Sequence, residues 1–501
     1  MLFRNTLAQS TTTITGMIFS VILAPIMLSR LGLAAFGVWA VTGALATYAA
    51  VFDLGITRAL ARFVAYHDAR GEDRRLRECI GLGLLVVTAV GACALAAAHV
   101  AAPLVSRSLG VLGTADMRNV MLCSAGIFSL LLYAKVLNAV PHGLRRMVPP
   151  NVSSTTANVV NFTFSVGVLI MSTSLVDYAV ANLLATVVAL LGALASSLYV
   201  RRPLPVALPS RETIREVLGY SVKVQVPWIA DLVNQGTDKV VIAFLVDVRV
   251  AAAFEIAVRV TNAVKALGVL TTSAMVPTAT HHIVKHGRAS VPAFHLRYSR
   301  ISVALAFPLF VLACVSAPAL LLAWLGEVPG TTEAVLIVLS ISHFFGLAAG
   351  VAVTLAMGAG QANMLALTAV LSAAVNILLT LALAPLFGTW GVLAGTFVAI
   401  AIGAVAFLRN FHREFQVPAA DFARSIGPPA ALALAVGIPF AVYDVLVDAP
   451  ATRLAAAALL AATVLLYGLA YWFLASRLGF LPARLTLGRA RRRGAVAPTT
   501  P

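Results

Sequence analysis

Fourteen apolar segments of roughly 20 residues fill this chain of 501 residues, and each is long enough to cross a hydrocarbon core of about 30 Å as a helix. Hydrophobic residues make up 60% of the chain and charged residues 11%, which leaves too little polar surface to cover a soluble globule of this length. We therefore expect an all-α polytopic membrane protein with about 14 transmembrane helices. The predicted spans 1 to 14 lie approximately at 6–29, 35–57, 79–104, 117–140, 152–172, 176–199, 217–246, 250–278, 300–325, 333–357, 363–385, 388–408, 426–447 and 451–475.

Positive charge is distributed unequally between the loops. Assigning alternate loops to the two sides of the membrane places 26 Lys and Arg on the side of the N-terminus, 5 on the other side and 5 within spans. Because cytoplasmic loops carry the excess of Lys and Arg, we expect both termini in the cytoplasm and a multi-pass protein of the bacterial cytoplasmic (inner) membrane. The arginine-rich residues 57–78 are interpreted as a cytoplasmic loop. The first apolar segment is long and has no convincing small-residue cleavage site, which favours a span over a signal peptide.

The net charge of +17 does not indicate a nucleic-acid partner. The basic residues lie in short loops and in an arginine-rich tail at 489–493, a pattern typical of membrane orientation and of contact with anionic membrane lipids. The four cysteines stand singly without CxxC spacing, and the histidines at 281, 282 and 286 are poorly spaced for a metal. We therefore expect no nucleic acid, disulfide framework, metal or cofactor.

A weak internal repeat divides the chain. The segment AAFGVWAV at 34–41 is similar to AAFEIAV at 252–258, and each follows the first span of a six-span set. An even number of spans per half gives both halves the same orientation, which predicts two six-helix bundles related by a pseudo-two-fold axis along the membrane normal. The predicted parts are an N-terminal six-helix lobe at 1–200, a C-terminal six-helix lobe at 217–410, two additional transmembrane helices at 426–475 and a basic cytoplasmic tail at 476–501.

Spans 7 and 8 hold most of the charges that interrupt apolar segments. These charges are Asp231, Asp238, Lys239, Glu255, Arg259 and Lys265. A charge at the bilayer centre costs about 2.5 to 3.5 kcal/mol on the insertion scale, so each needs a partner or water. At 100° per residue they form one polar face on each span, which Asn234 and Gln235 extend on span 7 and Asn262 extends on span 8. The i, i+4 spacing of Glu255 and Arg259 is that of an ion pair.

Amide and hydroxyl side chains form similar stripes on other spans. Asn158 belongs to such a stripe on span 5, Asn376 to one on span 11, and Asp53 lies near the end of span 2. Polar groups in hydrocarbon must be paired or hydrated, so these faces indicate a water-filled cavity between the two bundles. The Asn and Thr stripes have an alternative interpretation as hydrogen bonds that join neighbouring helices. Lys135 in span 4 is isolated and is either structural or directed towards the membrane surface.

Two stretches of the chain carry a resemblance to a known family. The first consists of Leu31, Gly32, Phe36, Gly37, Trp39, Tyr48, Asp53, Gly55, Ala59 and Arg62. The second runs from Gly219 through Asp238 to Phe254, Ala257 and Pro277. With these residues the chain resembles, over about residues 1–410, the Wzx-type oligosaccharide flippases of the multidrug/oligosaccharidyl-lipid/polysaccharide (MOP) superfamily. It departs from that family at Phe254, where a tyrosine is common, and in its fourteen spans, which are shared with the related lipid II flippases.

The resemblance implies a flippase that moves a polyprenyl-pyrophosphate-linked oligosaccharide from the inner to the outer leaflet by alternating access, in cell-surface polysaccharide biosynthesis. Cations would bind the pyrophosphate, and amide groups would bind the sugars. The candidate substrate-binding residues are Arg259, Lys265, Lys135, Asn234, Gln235, Asn262, Asn158 and Asn376. Coupling to protons or sodium is compatible with this function and not required by it; the candidates are Asp231, Asp238, Glu255 and Asp53. Glycosyltransferases and a polysaccharide polymerase are the implied protein partners.

Three alternatives differ from this interpretation. A cation-coupled multidrug exporter of the same superfamily would need an acidic, aromatic-rich cavity, whereas the predicted cavity has mixed charge. A non-transporting membrane scaffold of envelope synthesis is also compatible with the polar stripes. An enzyme is disfavoured, because the outer loops have roughly 3 to 13 residues and the sequence has no nucleotide-binding loop or metal-ligand cluster.

Overall fold

The protein is helical throughout the part of the chain that the computed structural model describes. The described residues are 2–48, 51, 55–202, 204, 206–273, 285, 287–328, 330–359, 361–447 and 450–481. The α-helices are α1 (Leu2–Tyr48), α2 (Ile56–Ala69), α3 (Asp73–Leu109), α4 (Thr114–Gly143), α5 (Val148–Met171), α6 (Leu175–Val200), α7 (Arg211–Leu245), α8 (Val248–Ser273), α9 (Val291–Val315), α10 (Ala317–Leu325), α11 (Thr332–Gly358), α12 (Ala362–Phe387), α13 (Thr389–Phe415), α14 (Ala419–Leu446) and α15 (Arg453–Arg477). These residues include no β-strand, and the predicted all-α polytopic fold is confirmed.

Each of the fourteen predicted spans lies mainly in a helix. Among the described residues, 11 helices are long and apolar enough to cross a membrane. The first of them, α1, contains span 1 and residues 35–48 of span 2. Helices α7 and α8, which hold most of the charges within spans, are not among the eleven. Span 9 is divided into α9 and α10 at Ser316, because Pro318 lacks the N–H that would continue α9.

Gly32 separates the two spans contained in α1. Its backbone has φ 80° and ψ 166°, a region that is essentially restricted to glycine. The helix therefore consists of two arms, at 2–31 and 33–48, that meet at this residue. The sequence predicts a separation between spans 1 and 2 at residues 30–34. The backbone conformation of Gly32 causes this separation.

The prediction that residues 57–78 form a loop is wrong, because this segment contains α2 and the start of α3. Ile56, Leu60 and Phe63 recur at helical spacing and are buried. Arg62 stacks on the ring of Tyr220, with 3.9 Å between the guanidinium carbon and the ring centroid. The arginines identify the side of the membrane, but the apolar period of about 3.6 residues determines the secondary structure.

Two compact units divide the described chain. Unit 1 comprises residues 1–256 and 376–395. Its apolar core joins α2, α3, α4 and the start of α7, and includes the fully buried Leu60, Ile80, Val136 and Val217. Unit 2 comprises residues 257–375 and 396–501. The predicted lobes at 1–200 and 217–410 stay a prediction.

The start of α7 is anchored in unit 1 by a buried carboxylate. Glu78 of α3 is 4% exposed, and its Oε2 accepts hydrogen bonds from Ser210 Oγ at 2.5 Å and from Thr213 Oγ1 at 2.6 Å. Ser210 is also the N-cap of α7, since its Oγ accepts from the Thr213 amide. Capping and burial of the same group fix where α7 begins.

The two C-terminal helices, α14 and α15, belong to the core of unit 2. Tyr471 Oη of α15 donates to the Ala304 carbonyl of α9 at 2.8 Å, and Tyr467 Oη donates to the Ala433 carbonyl of α14 at 3.2 Å. Buried tyrosines need such partners for their hydroxyls. The helices predicted at 426–475 are therefore packed elements of unit 2, while most of the predicted tail lies outside the described residues.

Candidate functional site

Asp238 of α7 lies in the interior of unit 1, with 2% of its surface exposed. Its Oδ1 accepts a hydrogen bond of 3.3 Å from Nδ2 of Asn376 on α12, a residue that is 1% exposed. A carboxylate removed from water needs such a partner, because the loss of hydration is otherwise costly. The sequence predicted both residues as site residues with different roles, and the structure brings them into contact.

Tyr48, at the end of α1, approaches α7 beside this carboxylate. Its Oη lies 3.1 Å from Thr237 Oγ1, and the ring is within electrostatic range of Asp238. Glycine at position 236 leaves room for this approach, since a Cβ there would lie 2.9 Å from Tyr48 Oη. The sequence indicated Tyr48 through the family resemblance, and its neighbour on α7 became known only from the fold.

A further buried oxygen lies on the same stripe of α12. Thr380 follows Asn376 by one turn and is fully buried, and its Oγ1 has no hydrogen-bond partner among the described residues. Gly395 of α13 permits close packing there, because a Cβ would lie 2.9 Å from that hydroxyl. Carboxylate, amide and hydroxyl oxygens are the ligands that hard cations prefer, and a carboxylate is also a proton acceptor.

Lys239 and Glu255 form an ion pair between α7 and α8. The distance from Nζ to Oε2 is 2.7 Å, and the two side chains are 17% and 14% exposed. The sequence predicted Glu255 as an ion-coupling residue and indicated Arg259 as its partner, and it assigned no partner to Lys239. The connection between α7 and α8 is short, so the two helices are antiparallel. Lys239 lies seven positions before Val246, and Glu255 lies eight positions after Asp247. The two side chains are therefore side by side.

The predicted substrate-binding cations on α8 belong to unit 2. Arg259 is half-buried, whereas Asn262 and Lys265 are exposed. Lys265 lies within electrostatic range of His343 on α11, a residue that sequence analysis did not select. His343 lies in an apolar span, where a titratable side chain is itself an indication of a site.

The polar stripe of α5 binds neighbouring helices of unit 1. Asn158 Nδ2 donates to the Thr12 carbonyl of α1 at 3.2 Å, and Thr12 Oγ1 lies 2.9 Å from Thr155 Oγ1. Asn161 Nδ2 donates to Asn182 Oδ1 of α6 at 3.0 Å. These bonds have the geometry of helix-to-helix contacts. The role of Asn158 in sugar binding stays a prediction.

The structure leaves several predicted residues without a described side chain. Asp53 lies outside the described residues, and so do the side chains of Asp231, Asn234 and Gln235, although the backbone of α7 is helical at those positions. Lys135 is exposed on α4. The predicted roles of these five residues stay predictions.

Two histidines that sequence analysis did not select form a buried pair in unit 2. His295 Nε2 of α9 lies 3.2 Å from His412 Nε2 of α13, and Ser299 Oγ lies 3.1 Å from His295 Nδ1. The ring of Phe422 stacks on His295 at 5.0 Å. One ring nitrogen must donate and the other accept, so the pair joins α9 to α13 without needing charge. Within the described part of the chain, no group of three His, Cys, Asp or Glu side chains could hold a metal ion.

The helical architecture is that of MOP-superfamily transporters. The lipid II flippase MurJ in an inward closed conformation superposes with a TM-score of 0.72 over 95% of this chain and 98% of its own, at 11% identity. A multidrug resistance MATE family transporter of the MOP superfamily superposes in its inward-facing conformation with a TM-score of 0.61 and 16% identity, over 81% of this chain and 94% of its own. Its outward-facing conformation gives 0.54 and 16%, over 83% and 95%. None of the curated protein sequences compared with the chain matches it.

The chain belongs to the polysaccharide biosynthesis protein family, whose model matches residues 2–282. This match and the shared fold confirm the resemblance to the flippases of the MOP superfamily. The protein is therefore a multi-pass membrane protein of the polysaccharide biosynthesis family, with the fold of a lipid II flippase and of a MATE transporter.

Proposed function

We propose that the protein moves a polyprenyl-pyrophosphate-linked oligosaccharide from the inner to the outer leaflet of the bacterial cytoplasmic membrane. The observation that carries the proposal is that a chain of the polysaccharide biosynthesis family has the fold of a lipid II flippase over 95% of its length. Transport proceeds by alternating access, with both termini in the cytoplasm. Glycosyltransferases supply the substrate and a polymerase consumes it, and the protein itself makes and breaks no covalent bond.

The cations of α8 bind the pyrophosphate in this proposal. Arg259 is half-buried and Lys265 is exposed, and both lie in a helix that otherwise has the composition of a membrane span. A guanidinium binds phosphate oxygens through two N–H groups, and an ammonium adds a point charge. Asn262, exposed between them in sequence, contacts the first sugar.

Ion coupling is assigned to Asp238 in this proposal. Its contact with Asn376, the neighbouring Tyr48 hydroxyl and the burial of Thr380 supply oxygen atoms in a region closed to bulk water. Binding of a proton or a sodium ion there would neutralise a charge that is otherwise costly to bury. The ion would therefore bias the packing of α7 against α12, which is the kind of two-state element that transport requires.

The decisive experiment removes the gene and follows the lipid-linked sugar. Deletion is expected to cause accumulation of the lipid-linked oligosaccharide in the cytoplasmic leaflet, and the wild-type chain should reverse it. Arg259→Ala with Lys265→Ala should fail to complement, while Arg211→Ala with Arg215→Ala, an exposed pair at the start of α7, should complement fully. Normal export after deletion would exclude the flippase function.

The multidrug exporter is the second candidate, because the fold is also that of a MATE transporter, with a TM-score of 0.61. It predicts sensitivity to organic cations on deletion without accumulation of lipid-linked sugar. A scaffold predicts loss of surface polysaccharide together with no lipid translocation by the purified chain in proteoliposomes. These three outcomes are mutually distinguishable.

A further inference from the structure

An apolar groove follows α5 and α6 on the surface of unit 1. Its volume is about 820 Å³, which is within the range of ligand-binding clefts. Residues between Val148 and Ala157 form one wall, and residues between Val188 and Tyr199 form the other. Leu191 and Tyr199 are 57% and 74% exposed. Both helices are candidate membrane spans, so these exposed side chains face lipid.

Small residues create the depth of the groove. A Cβ at Gly192 would clash with Oγ of Ser153, so the glycine allows α5 and α6 to approach closely. Ala157 and Ala195 also line the groove, and their short side chains leave the space between the larger walls unfilled.

One end of the groove is cationic. Arg145 and Arg146 line it directly after the end of α4, and both are exposed. Their turn is fixed by hydrogen bonds from the Arg145 amide to the His142 carbonyl at 3.1 Å and from the Arg146 amide to the Pro141 carbonyl at 2.8 Å. The described residues that line the groove include no carboxylate. The end of the groove is therefore complementary to an anion such as a phosphate.

The length of the groove corresponds to one leaflet. At a rise of 1.5 Å per residue its walls extend about 14 Å along α5 and about 17 Å along α6, which is about half of a hydrocarbon core of about 30 Å. The arginines lie on the side of the membrane with the excess of Lys and Arg, the side predicted to be cytoplasmic. The groove thus extends from headgroup level to the bilayer midplane.

We propose that this groove binds an anionic phospholipid of the cytoplasmic leaflet, with its phosphate on Arg145 and Arg146 and one acyl chain between α5 and α6. The described lining includes none of the proposed transport residues, and the site does not depend on the transported substrate. A polyprenyl chain is a poorer match, because the groove ends at a depth of one leaflet. Anionic lipids are also the species that cytoplasmic basic residues attract.

The test is native mass spectrometry of the purified full chain with phosphatidylglycerol or phosphatidylcholine of the same acyl composition. The wild-type chain should retain one phosphatidylglycerol at concentrations at which phosphatidylcholine dissociates. Arg145→Ala with Arg146→Ala should weaken phosphatidylglycerol binding by about tenfold to thirtyfold, and Arg211→Ala with Arg215→Ala should leave it unchanged. Ala195→Trp should displace the lipid by filling the groove. Ala431→Trp, in an apolar groove of unit 2 whose described lining residues include no arginine, should not.

Several outcomes would overturn the proposal. The first is an unchanged preference for phosphatidylglycerol in Arg145→Ala with Arg146→Ala. The second is an equal loss of phosphatidylglycerol binding in the control, Arg211→Ala with Arg215→Ala. The third is retention of phosphatidylglycerol by Ala195→Trp. Displacement of phosphatidylglycerol by inorganic phosphate would show that contact of the acyl chain with the groove contributes nothing to binding. Stronger binding of a polyprenyl phosphate would show that the groove belongs to the carrier lipid. If the double-arginine variant fails to fold, the Ala195 and Ala431 pair decides.

Discussion

Asn376 Nδ2 donates a hydrogen bond to Asp238 Oδ1 across 3.3 Å, although 138 residues separate the two in sequence. The bond joins α7 to α12 inside unit 1, and both residues are almost fully buried. A buried hydrogen bond to a charged group contributes about 1.5–3 kcal/mol, more than a bond between neutral groups. The pair is therefore positioned to make the packing of these helices depend on the ionisation of one carboxylate.

In the proposed function, Asp238→Asn should remove ion coupling while preserving the shape of this contact. The amide cannot bind or release a proton and is a weaker cation ligand than a carboxylate. We expect the transport rate in proteoliposomes to fall at least tenfold and to lose its dependence on pH or sodium. The chain should still purify as a folded protein.

Asp116→Asn is the matched control, because Asp116 is exposed in the first turn of α4. This variant should transport normally. Asn376→Ala should weaken ion dependence by removing the amide partner. Full transport with unaltered ion dependence in Asp238→Asn would exclude the coupling role.

The Lys239 and Glu255 pair should behave as a coupled unit in a double-mutant cycle. Lys239→Met leaves a largely buried glutamate without this partner, and Glu255→Gln leaves a largely buried ammonium without the carboxylate, so each single change should destabilise the chain by about 1–3 kcal/mol. The double variant should cost less than the sum of the two. Thermal unfolding in detergent measures the coupling, and additive effects would show that the 2.7 Å contact contributes no stability.

The sequence predicts the membrane spans of this chain better than the contacts between its helices, and the physical reasons can be given at particular residues. Spans are predicted well because a stretch of about 20 apolar residues has few alternatives to crossing the membrane. Pairings such as His295 with His412, 117 residues apart, depend on which helices are neighbours, and periodicity within one helix contains no such information. The contact between Asp238 and Asn376 was inaccessible for the same reason, although both polar faces were recognised.

Gly32→Ala should destabilise the chain by about 1–3 kcal/mol, because φ 80° and ψ 166° lie in a region that residues with a Cβ avoid. Gly43→Ala, in the second arm of α1, is the matched control. A Cβ there meets no atom within 4 Å, and alanine is a better helix former by about 1 kcal/mol. The two variants should therefore shift the apparent Tm in opposite directions. Equal shifts would mean that the two arms do not need a glycine where they meet.

The hydrogen bond of Glu72 predicts that the turn between α2 and α3 becomes less stable in acid. Its carboxylate accepts a 2.7 Å hydrogen bond from the buried His67, and this bond, with smaller contributions from Arg70 and Arg75, holds the pKa of Glu72 below its ordinary value. Because the folded pKa is the lower one, the stabilisation is present above the ordinary glutamate pKa of about 4.3. It is lost as the pH falls through the folded pKa.

Glu72→Gln should therefore lower the apparent Tm at pH 6 and have a smaller effect once the pH is below the folded pKa of Glu72, where the wild-type group is also neutral. Glu327→Gln, at an exposed position in unit 2, should change neither value. A pH-independent effect of Glu72→Gln would show that its charge does not stabilise the turn.

The close approach of Tyr48 to Gly236 predicts that the cost of a substitution at position 236 depends on the residue at position 48. Gly236→Ala places a Cβ about 2.9 Å from Tyr48 Oη, so the hydroxyl must leave its position 3.1 Å from Thr237 Oγ1. We expect a loss of about 1–2 kcal/mol, from the broken hydrogen bond and the strain of the displaced ring. In a Tyr48→Phe background the hydroxyl is absent and the nearest ring atom, Cζ, lies 3.3 Å from the new methyl group, so Gly236→Ala should cost less than in the wild-type chain, with its helix propensity offsetting part of the cost. The same loss in both backgrounds, measured as apparent Tm, would place the conflict in the backbone of α7 rather than at the tyrosine.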